Sequence, residues 1–183
     1  MRQIKILFLA WGFSVHAKRR IQIFTSSNDY SVKVVANYNY QFERAENVLL
    51  ESAATVNARS LSESRVFASI ALMKNFAAYK ILLKLMLFVQ EIFLAFKDYV
   101  QIKKEVSLFN PDIIFLQTLL YPCFLALFLP KKTPKIVTFW NGDLTWWAKW
   151  HGIERLLKKY IVMIGVRKIE KITLNSQAAY EAC

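Results

Sequence analysis

"IKILFLAWGFSVHAKRRIQIF", residues Ile4 to Phe24, decides the fold of this chain. Ile4 to Ala10 form an almost unbroken apolar run, the pattern of a strand covered on both faces. Gly12 ends the run, and Ser14 stands where a helix needs its N-cap. The helix predicted behind it reaches about Phe24, turns Ile21 and Phe24 inward, and carries Lys18, Arg19 and Arg20. A doubly covered strand leading through a glycine turn into a helix opens a parallel βαβ unit.

The same alternation continues along the chain. "SVKVVAN" (Ser31 to Asn37) is a second β-branched strand, entered from the turn-forming Ser26, Ser27, Asn28 and Asp29. Residues 38 to 65 are the least legible, and either "NVLL" or "ATVNA" supplies a third strand there. From about Ser64 to Phe109 the chain has neither glycine nor proline and reads as a long helix, with Asn75 as its candidate break. Lys84, Glu91, Asp98 and Glu105 recur every seven residues, with Lys80 joining their stripe. Seven residues are nearly two helical turns, so these charges share one narrow face. Two readings follow: a crossover helix packed on the sheet with its charged edge wet, or a helix that also touches a membrane surface.

"NPDIIFLQ" (Asn110 to Gln117) is the next strand, with Pro111 stopping the helix before it. "YPCFLALFL" is helical with Pro122 in its first turn, "PKIVTFWNGD" (Pro134 to Asp143) is a strand running into a polar turn, and "ERLLKKYIVMIGVRK" is a basic helix. "KITLNS" (Lys171 to Ser176) is a last strand, and Asn175 or Ser176 caps a helix that reaches Cys183 after barely two turns, so the chain is expected to be cut there. The expected fold is α/β, a Rossmann-like doubly wound parallel sheet with helices on both faces, forming one domain over residues 1–183. Ligands of such sheets lie at the carboxyl ends of the strands. That edge gathers Trp11 to His16, Gln117 with Thr118, Trp140 to Asp143, and Asn175 to Gln177.

Composition limits the partners. Lys and Arg number 25 against 13 Asp and Glu, a formal charge of +12, which attracts phosphate-bearing partners such as anionic lipid headgroups or diphosphates. There is no helix-turn-helix, RNP-like or zinc pattern, so nucleic acid is not the expected partner. Cys123 and Cys183 have no metal-ligand spacing, no cofactor motif is present, and two such cysteines suit a reducing cytoplasm. The N-terminal apolar run is too short for a signal peptide, and uncharged Leu119 to Pro130 is too short to cross a bilayer. The expected location is cytoplasmic, peripheral at the inner face of the cell membrane.

The residues with chemical potential cluster at two turns. Gly12 serves either to turn the chain or to let backbone approach a ligand closely. The N-terminus of the following helix offers amides and a positive dipole end to an anion, with Ser14 and His16 as hydrogen-bonding groups and Lys18, Arg19 and Arg20 as positive charge. The stretch is not G-x-G-x-x-G, because positions 14 and 17 are Ser and Ala, and it has no Walker lysine. At the second turn, Asp143 is either a general base or sugar-hydroxyl acceptor, or a cap for the helix of Leu144 to Trp150. Trp140, Trp146, Trp147 and Trp150 offer aromatic faces that suit sugar rings, a membrane interface or a core.

In order and spacing, "ILFLAWGFSVHAKRRIQIF", "NPDIIFLQTLLYPCFLALFLP", "KIVTFWNGDL" and "IEKITLNSQAAYEA" resemble the N-terminal half of retaining GT-B glycosyltransferases of family 4. The resemblance spans nearly the whole chain except residues 38 to 75. It implies an acceptor-binding domain, with the nucleotide-sugar donor held by a C-terminal domain that this chain lacks, and a glycan or lipid-linked acceptor. It implies that Gly12, Ser14 and His16, with Lys18 and Arg19 behind them, form the loop facing the interdomain cleft. Gln117, Trp140, Asn141 and Gly142 would line that cleft, and Asp143 would be its candidate catalytic group. Gln117 and Trp140 stand where many relatives have histidines, and Asn141-Gly142 departs from the commoner Gly-Ser. The competing reading is a non-catalytic module that binds a phosphorylated glycolipid or a partner subunit.

Overall fold

The computed structural model describes residues 2–12, 14–53, 77–119, 122–139, 160, 163–165 and 167–174, with backbone alone for 77–88, 91, 139 and 174. Its strands are β1 (Ile4–Ala10), β2 (Tyr30–Ala36), β3 (Ala45–Leu49), β4 (Ile113–Leu116), β5 (Lys135–Phe139) and β6 (Lys171–Leu174). Helix α1 (Val15–Thr25) follows β1, α2 (Ala77–Phe109) precedes β4, and a 3-10 helix (Cys123–Phe128) lies between β4 and β5. The strands form one sheet in the order β3-β2-β1-β4-β5-β6, and every neighbouring pair is parallel. This is the doubly wound α/β arrangement expected from the alternation of strands and helices.

Side-chain alternation along β1 sorts its apolar run onto two faces. Ile6, Phe8 and Ala10 join Ile21 of α1 with Val32, Val34 and Ala36 of β2 in one core. Leu7 and Leu9 join Val35, Ile102 of α2, Ile114 and Leu116 of β4, and Cys123, Leu125, Ala126 and Leu127 of the 3-10 helix in the other. Both faces are therefore dry, which is why the strand reads as continuous apolar sequence rather than as alternation. The third strand contains the first three residues of "NVLL". "CFLALF" is a 3-10 helix rather than an α-helix, beginning directly after Pro122.

The charged stripe of α2 lies opposite to the wet-edge reading. Asp98 is fully buried, and its carboxylate accepts the Ser52 amide at 3.2 Å. Glu105 pairs with the Lys33 ammonium at 2.8 Å, and Glu46 of β3 approaches the same ammonium at 2.6 Å. Lys33 points from β2 into this covered side, over the Phe109 ring. Burial alone would lower the Lys33 pKa, but its hydrogen bonds to Glu105 and Glu46, with their charges, outweigh that and raise it. Gln101 adds to the same seam, accepting the Glu51 amide and donating to the Leu49 carbonyl. The stripe faces inward because each of these groups meets a polar partner at the β2–β3 side. Lys84 and Glu91 of that stripe have no described side chain.

Candidate functional site

The strand order reverses between β1 and β4, so the crevice at their carboxyl ends is the topological switch point of the sheet. The turn after β1 borders it, with the Trp11 amide bonded to Gln117 just past β4. Ser14 caps α1 as its sequence position suggests, its hydroxyl accepting the Ala17 amide at 3.3 Å. Gly12 has φ +51°, the left-handed region, and a Cβ placed there would meet nothing within 4 Å. The turn requirement is thus sufficient to explain glycine at this position.

The turn's polar groups are bound from three directions. The Trp11 amide donates to the Gln117 side-chain carbonyl at 2.8 Å, and the Gly12 amide to the Asn37 side-chain carbonyl at 2.7 Å. Tyr40 donates its hydroxyl to the Gly12 carbonyl at 2.6 Å and accepts the Ser14 amide at 3.1 Å. Burial raises the Tyr40 pKa, against the opposing effect of the hydrogen bond with the Ser14 backbone. Below, the Gln117 amide donates to the Leu9 carbonyl at 3.0 Å, and the buried Cys123 thiol donates to the same carbonyl at 3.2 Å. The amides of Trp11, Gly12 and Ser14 in the turn, and that of Ala17 in the first turn of α1, are satisfied inside the chain. The α1 dipole and the first-turn residues remain as the attraction for negative charge.

The structure therefore brings Gly12, Ser14 and Gln117 together, with Thr118 buried beside them. His16, Lys18 and Arg19 are exposed on the first turns of α1. The basic run does not act as one patch. Lys18 lines a cleft of about 640 Å³ with Gln22, Phe42 and Arg44. Arg20 turns the other way: it is half-buried, donates to the Thr138 hydroxyl of β5, and lies over the Phe115 ring at 5.5 Å. Its pKa is lowered by burial. Thr138 in turn contacts the Thr173 hydroxyl of β6 at 2.8 Å, so Arg20 belongs to a polar seam between α1 and the sheet. Trp140, Asn141, Gly142 and Asp143 lie outside the described residues, as do Asn175 to Gln177.

Asn37 and Tyr40 are the site residues that sequence reading missed. The parallel register pairs Ala10 with Ala36, which places Asn37 beside the turn after β1. A polar residue one step past a paired strand end was the available signal. For Arg20 the signal was helical: it lies three residues after buried Ala17 and four before Phe24, on the covered side of α1. The chain matches no protein-family model and no curated protein.

Proposed function

We propose that this chain is the acceptor-binding half of a retaining glycosyltransferase of GT-B type. A second domain would hold a nucleotide-sugar donor, and the acceptor would be a lipid-linked glycan at the inner membrane face. The observation that carries the reading is the Gly12–Ser14 turn beside Gln117 at the switch point of a six-stranded parallel sheet. That is where an α/β sheet of this order receives ligand, and where the motif order of the resemblance puts the acceptor loop. In this reading the α1 N-terminus and His16 face the phosphate or sugar of the acceptor, and Asp143 is the candidate base. The charge of +12 favours an anionic lipid carrier.

Titration calorimetry on the 183-residue chain tests this, using a short-chain polyprenyl diphosphate sugar and a panel of nucleotide sugars. The glycolipid should bind, the nucleotide sugars should not, and no sugar should be transferred without the second domain. His16→Ala should weaken glycolipid binding about tenfold or more, the effect of losing a hydrogen bond to a charged group. Turnover by the chain alone would overturn the two-domain reading, and an absence of glycolipid binding would overturn the acceptor role.

A further inference from the structure

We propose that the outward face of α2 is a docking surface for an anionic lipid bilayer. The inference rests on the peripheral-membrane part of the reading above and not on sugar transfer. Asp98 and Glu105 both face the protein, so the described side chains of α2 present no carboxylate outward. What faces out instead is Val89, Ile92, Phe93, Phe96 and Val100, at the three- and four-residue spacing of one helical stripe. Phe93 and Phe96 are 58% and 62% exposed, far beyond what a covered crossover helix shows. Lys97, Lys103 and Lys104 are exposed along the same side, and the Lys97 ammonium lies 5.2 Å from the Phe93 ring centroid. Glu51 borders the face and is engaged with Lys97 at 3.5 Å.

The surface continues onto the 3-10 helix. The Tyr99 hydroxyl donates to the Phe128 carbonyl at 3.4 Å, Phe128 is itself exposed, and Lys168 lies 5.6 Å from its ring. Aromatic rings interleaved with lysines suit a headgroup layer: the rings enter the acyl boundary while the ammonium groups meet phosphates. A second copy is the poorer occupant, because two-fold pairing would set these lysines against their own kind in a chain of charge +12. Among the described residues no helix is long and apolar enough to cross a membrane, so α2 would lie along the surface.

Flotation of the full chain tests this, with vesicles of phosphatidylcholine alone and of an equal mixture with phosphatidylglycerol. The chain should float with the mixed vesicles and be released by salt. Phe93→Ser with Phe96→Ser should weaken that binding at least about tenfold, given the apolar area each ring would bury. Lys103→Glu with Lys104→Glu should do so comparably, and all four sites are exposed, so unchanged melting should accompany the loss. Lys18→Glu with Arg19→Glu should keep most of the binding. Binding that survives the α2 changes and disappears with the α1 changes would overturn the α2 surface while keeping a peripheral protein. No flotation with either vesicle would overturn both. Self-association abolished by the phenylalanine changes, without vesicle binding, would assign the face to a second copy and overturn the proposal.

Discussion

Tyr40 ties both ends of the turn after β1 to itself, donating to the Gly12 carbonyl at 2.6 Å while accepting the Ser14 amide at 3.1 Å. Its ring is held between Tyr38 and Phe42, at centroid distances of 5.3 and 5.5 Å. Tyr40→Phe should keep that packing and leave one carbonyl and one amide without their partner. The expected loss is about 1–3 kcal/mol of stability in urea denaturation, with faster hydrogen exchange at the Ser14 amide. Unchanged stability and unchanged exchange would show that the hydroxyl is not what holds the turn.

The same residue makes a pH prediction. Burial raises the Tyr40 pKa, so the folded chain keeps this proton where the unfolded chain has lost it. The contribution is fully present below the ordinary tyrosine value of about 10 and declines as pH rises through the folded value. Stability should therefore be insensitive to this group at neutral pH. Above about pH 10 the parent chain should lose stability more steeply than Tyr40→Phe, as urea midpoints across the alkaline range would reveal.

At Gly12 the left-handed φ of +51° and the open space around an added Cβ separate backbone strain from crowding. Gly12→Ala should cost about 1–2 kcal/mol, all of it conformational. Gly12→Asn should cost less, because asparagine tolerates this region, and Gly12→Val should cost more. Thermal melting of the three variants orders them. An alanine variant as stable as the parent would mean that the turn relaxes to another backbone conformation.

Lys33 is the buried counter-charge of Glu105, whose side chain is only 15% exposed. Lys33→Met should strand that carboxylate and destabilise the fold by about 3–5 kcal/mol. Adding Glu105→Leu should recover most of the loss, because an apolar pair of similar volume replaces a desolvated ion pair. Since the folded pKa of Lys33 is raised, its contribution is present below the ordinary lysine value of 10.5 and disappears as pH rises through the folded value. A double-mutant cycle by chemical denaturation checks the coupling.

Much of the sheet was legible because its signals are local. Ile4 to Ala10, Gly12 and Ser14 carry the strand, turn and cap within eleven residues, and the observed bounds of β1 and the cap of α1 agree with that reading. The candidate site was legible only in part. Gly12, Ser14 and Gln117 do meet, but the side chains that hydrogen-bond Gly12 and Ser14 are Asn37 and Tyr40, in and beside the stretch with the weakest periodicity. The α2 stripe misled because a seven-residue spacing places charges on one face without saying which way that face looks.

By itself the sequence determined a parallel, doubly covered sheet, since apolar runs, a capping serine and a glycine turn act over a few bonds. Tertiary structure alone decided what those elements face. Strand register sets Asn37 against the Gly12 amide and Gln117 against the Trp11 amide, partners 25 and 106 residues away. Packing on the β2–β3 side then turned Asp98 and Glu105 inward, where the Ser52 amide and the Lys33 ammonium satisfy them, and left Phe93 and Phe96 outside. A buried carboxylate is tolerable only where a donor waits for it, and that donor is supplied by chain far away in sequence.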